Sequence, residues 1–413
     1  MKISLISHSD TDGGAARAAF RIHEALNRLQ VDSTLFVNVK NSEDSKTRLI
    51  SKNSFSKIID RLSSIILRLQ VTSNRVTHST NLTGSRVFDI VETHDCDIVN
   101  IHWVNQGTLS IRQIGRFTKP TVLTLHDMWA FSGTEHYVID NNKSRFKIGY
   151  DETELSNSEE QVKGIDINRF VWRLKCKFWG ERLTIVTGSR WLSNMARDSQ
   201  LFSKNKVITI PNALDTNLFT PSNRNSARLK LDLPVSKVII GFGAISSDED
   251  QRKGYDLLVD ALSEISLNNN SLEIECAVFG SRDKGKGSVG GVATTFLGHI
   301  NDDSTLVQFY NAIDVMVVPS RQDHMPQTGT ESLSCGTPVV AFDISGLPDV
   351  VTHQETGYLA KPFCTKDLAA GIIWCIDNNS SHNLSHNSRK KALDLWSYDI
   401  VAKQYLDLFE SIR

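Results

Sequence analysis

Asp323 and Glu331 stand eight positions apart in Pro319-Ser320-Arg321-Gln322-Asp323-His324-Met325-Pro326-Gln327-Thr328-Gly329-Thr330-Glu331, and the string continues Ser332-Leu333-Ser334-Cys335-Gly336-Thr337-Pro338-Val339-Val340. It reads as the end of a buried strand, a loop, a short helix opening near Gln327, and a second buried strand. A helix start offers backbone N–H groups and a partial positive charge, which together seat a phosphate. An acid one turn further in accepts hydrogen bonds from ribose hydroxyls. Asp323, the backbone of Met325, Gln327 and Thr328, and the Glu331 carboxylate therefore form a candidate nucleotide-diphosphate site. Pro326 has no N–H to offer. The alternative is an ordinary strand–loop–helix with solvated charges, because acids at this spacing also recur by chance.

Three further groups could carry chemistry. Arg252 and Lys253, in Asp250-Gln251-Arg252-Lys253-Gly254-Tyr255, sit just ahead of an expected helix. Cations there oppose the helix dipole unless an anion lies between them, and a planar fork beside a point charge suits a diphosphate. A solvated basic turn is the other reading. His126 and Asp127 follow the apolar run Thr121–Leu125, at the strand edge where parallel sheets bind ligands. A capped strand end with packed Trp129 would explain them equally simply. Gly13 and Gly14 lie in Asp10-Thr11-Asp12-Gly13-Gly14-Ala15, where glycine lets backbone approach a ligand. The third glycine of a dinucleotide fingerprint is missing, so NAD binding is not supported. Asp-x-Asp spacings such as Asp10 and Asp12 are not read as a metal motif, and no metal or other cofactor is expected.

These residues need two sheets to hold them. Lys2–Ser7, Thr34–Val39, Asp97–His102, Thr121–Leu125, Leu183–Thr187 and Lys206–Ile210 read as strands, with a helix over Ala15–Leu29. After the polar stretch Thr220–Lys230 a second series begins: Lys237–Gly243, Leu272–Phe279, Thr294–Leu297, Asp314–Val318 and Pro338–Phe342. Asp283–Gly291, rich in Gly and Lys, reads as a mobile loop, and Ser388–Ile412 as one final helix. The pattern predicts an α/β chain of two Rossmann-like, doubly wound domains facing a central cleft, at 1–217 and 218–395. Asn212 and Asp215 read as structural residues near the hinge, and Ser189 as a helix N-cap.

The string around Glu331 resembles the signature of the retaining glycosyltransferases of family 4, which have the GT-B fold. Their pattern is Pro-Ser, an acid, seven residues, Glu, a small residue and Cys-Gly-x-Pro-Val-Val. This chain departs from it in having Asp323 where Glu is usual, Ala213 for a Gly, and Arg252 directly beside Lys253. The resemblance extends over nearly the whole chain and includes His126-Asp127-Met128-Trp129, whose continuation is like that of polysaccharide-assembly members. It implies that Arg252 and Lys253 grip the donor diphosphate, Glu331 the ribose, and Asp323 the sugar. It implies that His126 lies beside the transferred sugar, that the Gly13–Gly14 loop faces donor phosphates or acceptor, and that no divalent ion is required. It also implies that the last helix, about 396–413, packs back on the first domain. The implied activity is transfer of a sugar from a nucleotide-diphosphate sugar to a lipid-linked saccharide acceptor, in surface polysaccharide or O-antigen-type assembly. A nucleotide-sugar epimerase and a non-catalytic nucleotide-sugar-binding protein remain as alternatives.

Bulk composition fits such an enzyme. The chain has 413 residues, 40% hydrophobic and 23% charged, which suits two domains. Net charge is −1, but residues 1–215 carry 29 Lys and Arg against 23 acids while the remainder carries 17 against 24. The six cysteines are scattered, as expected of reduced thiols in a cytoplasm. No basic–aromatic array points to nucleic acid. Residues 45–75 hold seven cations and one acid, with Ile58, Ile59, Leu62, Ile65, Ile66 and Leu69 at helical spacing. This segment and Arg169–Arg182 are candidate contacts with an anionic membrane surface, the other reading for 45–75 being a helix packed on the core.

Overall fold

The computed structural model describes all residues except 51–62, 64, 152–161, 244–249 and 269–271. It divides into two compact units, Met1–Asn212 with Val401–Arg413, and Ala213–Ile400.

The first unit is built on strands β1 (Lys2–Ser9), β2 (Asp32–Val39), β3 (Thr47–Leu49), β5 (Ile98–Ile101), β6 (Thr121–Leu125), β8 (Leu183–Thr187) and β9 (Val207–Thr209). They form a seven-stranded parallel sheet in the order β3-β2-β1-β5-β6-β8-β9. Between them in sequence, β4 (Gln70–Thr72) and β7 (Val162–Gly164) pair into a separate antiparallel ribbon. β5, β6 and β8 are buried along their whole lengths, as parallel strands covered on both faces must be. The first helix, Gly14–Arg28, buries Ala16, Ala18, Ala19, Ile22, Ala25 and Leu26. It stops one residue before Leu29, which stays exposed instead of joining the apolar stripe.

The second unit has β10 (Val238–Gly243), β11 (Ile274–Phe279), β12 (Lys284–Val289), β13 (Val292–Gly298), β14 (Val315–Val318), β15 (Val339–Phe342) and β16 (Gly357–Ala360). Their order is β12-β13-β11-β10-β14-β15-β16, all parallel except β12. Two expectations are corrected here, at 283–291 and over the final helix. Residues 283–291 are not a mobile loop: β12 returns against β13 around Gly290 and Gly291, both at positive φ, with Val289 and Val292 buried on either side. A Gly-Gly pair between two valines is itself a hairpin signal. The polar stretch at 220–230 contains the helix Arg224–Lys230, capped by Asn223, and its Arg228 is buried against Asp314. The final helix is two helices, Leu384–Trp396 and Tyr398–Ile412. Ser397 between them is extended, and the Trp396 carbonyl accepts the N–H of Leu214 instead of continuing the helix. Beyond the break, Val401, Ala402, Tyr405 and Phe409 are fully buried in the first unit, and Arg413 pairs with Asp97 at 3.0 Å.

Among the described residues, no helix is long and apolar enough to cross a membrane. Ile58, Ile59 and Leu62 lie outside them, as does the acidic run at 152–160.

Candidate active site

In the second unit, β10 and β14 are hydrogen-bonded neighbours, so the segments leaving their C-terminal ends lie side by side. After β10 the chain makes a one-turn 3₁₀ helix, Gln251–Lys253, capped by Asp250, then passes Gly254 into the helix Tyr255–Asn268. After β14 comes the loop to Pro326 and the helix Gln327–Ser334. Several ties bind these segments. Arg252 donates to the Gln322 carbonyl at 3.0 Å, and the Arg252 carbonyl accepts from Arg321 N–H at 2.7 Å. Arg321 forks onto Asp256 at 2.8 and 2.6 Å. Lys253 Nζ lies 2.6 Å from the Asp323 carboxylate. Gly254 makes the approach possible: it sits at φ 68°, and a Cβ there would lie 2.0 Å from the Pro319 carbonyl oxygen.

Asp323 is buried, and desolvation alone would raise its pKa. The charges of Lys253, His324 and Arg252 outweigh that and hold it at about 2. Its own backbone is fixed by the Ser345 hydroxyl and by Gly346 N–H. Lys253 is therefore a charged, partly exposed ammonium held by a buried carboxylate. Arg252 also reaches Asp250 at 2.7 Å, so the two cations share one loop while resting on different acids. Met325 is buried, with its N–H 3.3 Å from Asp323 Oδ1. Gln327 and Thr328 are half-buried at the helix start. Glu331 is buried one turn further on and accepts from Tyr310 Oη at 2.7 Å. The structure thus brings Arg252, Lys253, Asp323 and Met325 together, and places Glu331 on the helix that leaves the same loop.

The first unit presents a different set. Gly13, at φ 85°, leads from β1 into its helix, and no atom lies within 4 Å of where its Cβ would be. Gly14 is exposed beside it. His126 and Asp127 do leave the end of β6, but each is engaged. His126 Nε2 is 3.0 Å from His102 Nδ1, and both rings are buried. His102 Nε2 is buried with no hydrogen-bond partner. A buried lone pair without a partner costs less than a buried N–H without one. The cheaper arrangement puts the His102 proton on Nδ1, donated to His126 Nε2, and leaves the His126 proton on Nδ1. Burial, helped by His126, pushes the His102 pKa well below the imidazole range, so the ring is neutral.

Asp127 is the acceptor hub of this edge. It takes His136 Nδ1 at 2.6 Å, Trp103 Nε1 at 3.2 Å and the Trp129 N–H at 2.9 Å. Burial would raise its pKa, but the charge and hydrogen bond of His136 bring it below the usual carboxylate value. His136 Nε2 faces Asn105 Nδ2 at 2.8 Å and Ser79 Oγ at 2.9 Å. Behind them Lys175 is fully buried, donating to the carbonyls of Trp129, Ser132 and Gly133. Desolvation lowers its pKa to about 7. Glu135, equally buried, accepts from Asn168 and Tyr150. Sequence reasoning did not single out His102, Trp103 or Asn105. The signal was present: Ile101-His102-Trp103 ends one strand much as Leu125-His126-Asp127 ends the next. Ser189 caps the helix Arg190–Asp198 by accepting from Leu192 N–H. A cavity of about 320 Å³ lies at the opposite ends of β6 and β8, lined in part by Thr121, Leu183 and Ile412, and none of the candidate site residues above lines it.

Residues 236–378 match the family Glycosyl transferases group 1. That match lies wholly within the second unit. The matched span runs from just before β10 to the end of the helix Thr365–Asn378, and so includes Arg252, Lys253, Asp323 and Glu331. A mannosylfructose-phosphate synthase of Agrobacterium fabrum is 27% identical over 247 residues, 55% of this chain and 52% of that protein. The chain spans about half the length, or less, of this and the other top-ranked curated relatives it matches. Among solved structures, sucrose-phosphate synthase from Thermosynechococcus elongatus superposes with a TM-score of 0.68 at 18% identity, covering 99% of this chain and 98% of that one. Anabaena HepE in complex with UDP-glucose superposes with a TM-score of 0.64 at 15% identity over the full length of both chains. The fold is GT-B, with two Rossmann-like units.

Proposed function

We propose that the protein is a retaining glycosyltransferase that uses a nucleotide-diphosphate sugar and a lipid-linked saccharide acceptor, in bacterial surface polysaccharide assembly. The observation that carries this reading is the Lys253–Asp323 pair at 2.6 Å, locked beside Arg252 at the end of β14. A buried carboxylate that holds an ammonium in place builds a preorganised positive site, and such a site stabilises charge as it develops on a departing pyrophosphate. The HepE structure with bound UDP-glucose supports a nucleotide-sugar donor on this fold.

In the proposed reaction the bond between the anomeric carbon and the diphosphate oxygen breaks. An acceptor hydroxyl oxygen bonds to that carbon on the same face, and its proton passes to the departing phosphate. Lys253 and Arg252 neutralise the leaving group, helped by the N–H groups at the start of the Gln327–Ser334 helix. Glu331 accepts from the ribose hydroxyls, and Asp323 contacts the sugar while holding Lys253. His126, as an Nδ1–H donor, hydrogen-bonds a sugar oxygen. Gly13 and Gly14 leave backbone accessible to donor phosphates or acceptor. No metal or other cofactor is required, and the reaction takes place on the cytoplasmic side of the membrane. The test is direct. A thermal-shift screen with UDP-, GDP- and ADP-sugars identifies the donor, after which Lys253→Ala and Glu331→Gln should each abolish transfer with the fold intact. Full activity in both variants would overturn the site.

A further inference from the structure

The β4–β7 ribbon is built inside out. In an antiparallel pair, directly opposed residues share a face and the faces alternate along each strand. Here Gln70 opposes Gly164 and Val71 opposes Lys163, while Ile165 N–H donates to the Leu69 carbonyl. Leu69, Val71, Lys163 and Ile165 therefore share one face, and Gln70 lies on the other. The polar residue is the one turned inward. Gln70 is 7% exposed and clasps Asn168 through both its side-chain oxygen and nitrogen. The apolar residues are turned outward: Leu69 is 52% exposed, Val71 63% and Ile165 58%. Ile65 and Phe170, on either side of the ribbon in sequence, are 53% and 50% exposed. A folded chain does not leave a contiguous apolar face toward water without a use for it.

The charges around this face choose its occupant. Residues 65–75 and 162–177 together contain seven Lys and Arg and one acid, Asp166, which is already paired with Arg145, while four Glu stand in the sequence at 152–160, outside the described residues. Of the seven cations only Lys175 is buried, and Arg68, Arg75, Lys163, Arg173 and Lys177 are exposed. Asp151 is the described acid that approaches the face, bridging Arg169 and Arg173. A second copy of the chain docked by a two-fold axis would set Lys163 and Arg68 near their own images, a like-charge contact. An anionic lipid surface meets both features at once, taking apolar side chains at the acyl boundary and cations among the phosphates. We propose that the outward face of the β4–β7 ribbon, centred on Leu69, Val71 and Ile165 and flanked by Arg68 and Lys163, docks the protein onto an anionic phospholipid bilayer. The face is one layer of side chains from the loop that follows β6. Gln70 bonds Asn168, and Asn168 bonds Glu135 in the loop that begins at His126 and Asp127. This partner goes beyond the donor chemistry proposed above and does not depend on it.

The test uses the full chain and two vesicle preparations, phosphatidylcholine alone and phosphatidylcholine mixed with phosphatidylglycerol. Flotation with no donor or acceptor present should show binding to the mixed vesicles at low salt, weakened by high salt. Val71→Ser and Ile165→Ser should each weaken binding about tenfold, and Lys163→Gln should weaken it several-fold and flatten the salt dependence. Melting curves and donor-induced thermal shifts of these outward-facing variants should match the parent. No binding to the mixed vesicles, or binding that survives Val71→Ser combined with Ile165→Ser, would overturn the proposal. So would a concentration-dependent dimer that the same substitutions abolish, which would identify a second copy as the occupant. Because vesicle binding is read without turnover, these failures would leave the Lys253 site untouched, and an active Lys253→Ala variant would leave the ribbon proposal standing.

Discussion

The C-terminal strand edges of the two sheets use opposite electrostatics. In the second unit, Arg252, Lys253 and Arg321 are countered by Asp250, Asp323 and Asp256, and full charges sit at hydrogen-bond distance around one loop. In the first unit, His102 and His126 share a hydrogen bond, and Asp127 is surrounded by ring and backbone N–H groups. The first arrangement suits the multiply charged ligand proposed for it, the second a neutral, hydroxyl-rich one. The difference follows from strand ends that deliver different residue types to the same topological position.

The comparison is broken most severely by removing the central cation. Lys253→Ala should lower kcat/KM for transfer about a thousandfold, roughly 4 kcal/mol, read from initial rates with the donor found by thermal shift. It also leaves Asp323 buried without its partner, so the melting temperature should fall. Combining it with Asp323→Asn should restore stability but not transfer, and a double variant that regained activity would remove Lys253 from the reaction. Gly254→Ala tests whether the two loops must touch. The positive φ and the Pro319 carbonyl together should cost about 3 kcal/mol by chemical denaturation. Acid sharpens the contrast. The folded pKa of Asp323 lies below its unfolded value, so its contribution is full above about pH 4 and disappears as pH falls through about 2. About 2 kcal/mol of stability should be lost across that window, and the loss should be absent in Lys253→Ala/Asp323→Asn. The smallest effect is spectroscopic. Nitrogen-15 shifts should show the His126 proton on Nδ1 with Nε2 as the acceptor, and His102→Phe should release it to a mixture; an Nε2–H ring in the parent would refute the assignment.

Much of the second unit was legible before folding was considered. The strands at 238–243 and 315–318 are short, largely apolar runs, and Gly254 and Pro319 punctuate the loops after them, so Lys253 and Asp323 could each be placed beyond a strand end, and the family resemblance put them in one site. The contact between them depends on β10 and β14 being neighbours, which spacing does not specify. The first unit was harder. His126 was visible at a strand end, but its partner His102 lies 24 positions earlier on the adjacent strand. Asp127 was legible as an acid and not as the acceptor of two indole- and imidazole-bearing side chains, because those come from Trp103 and His136 on other segments. The ribbon was invisible for a third reason. Its apolar residues at 65–71 fit a helical stripe as well as a strand, and only the pairing with 162–164 decides which side faces out.

Val401, Ala402, Tyr405 and Phe409 complete the interior of the first unit, yet the ribosome delivers them after every residue of the second. Nascent chains must therefore hold that interior open while another whole sheet is synthesised. During synthesis the early half depends on residues 401–413 to close, and a premature stop near residue 400 would damage the unit that was made first.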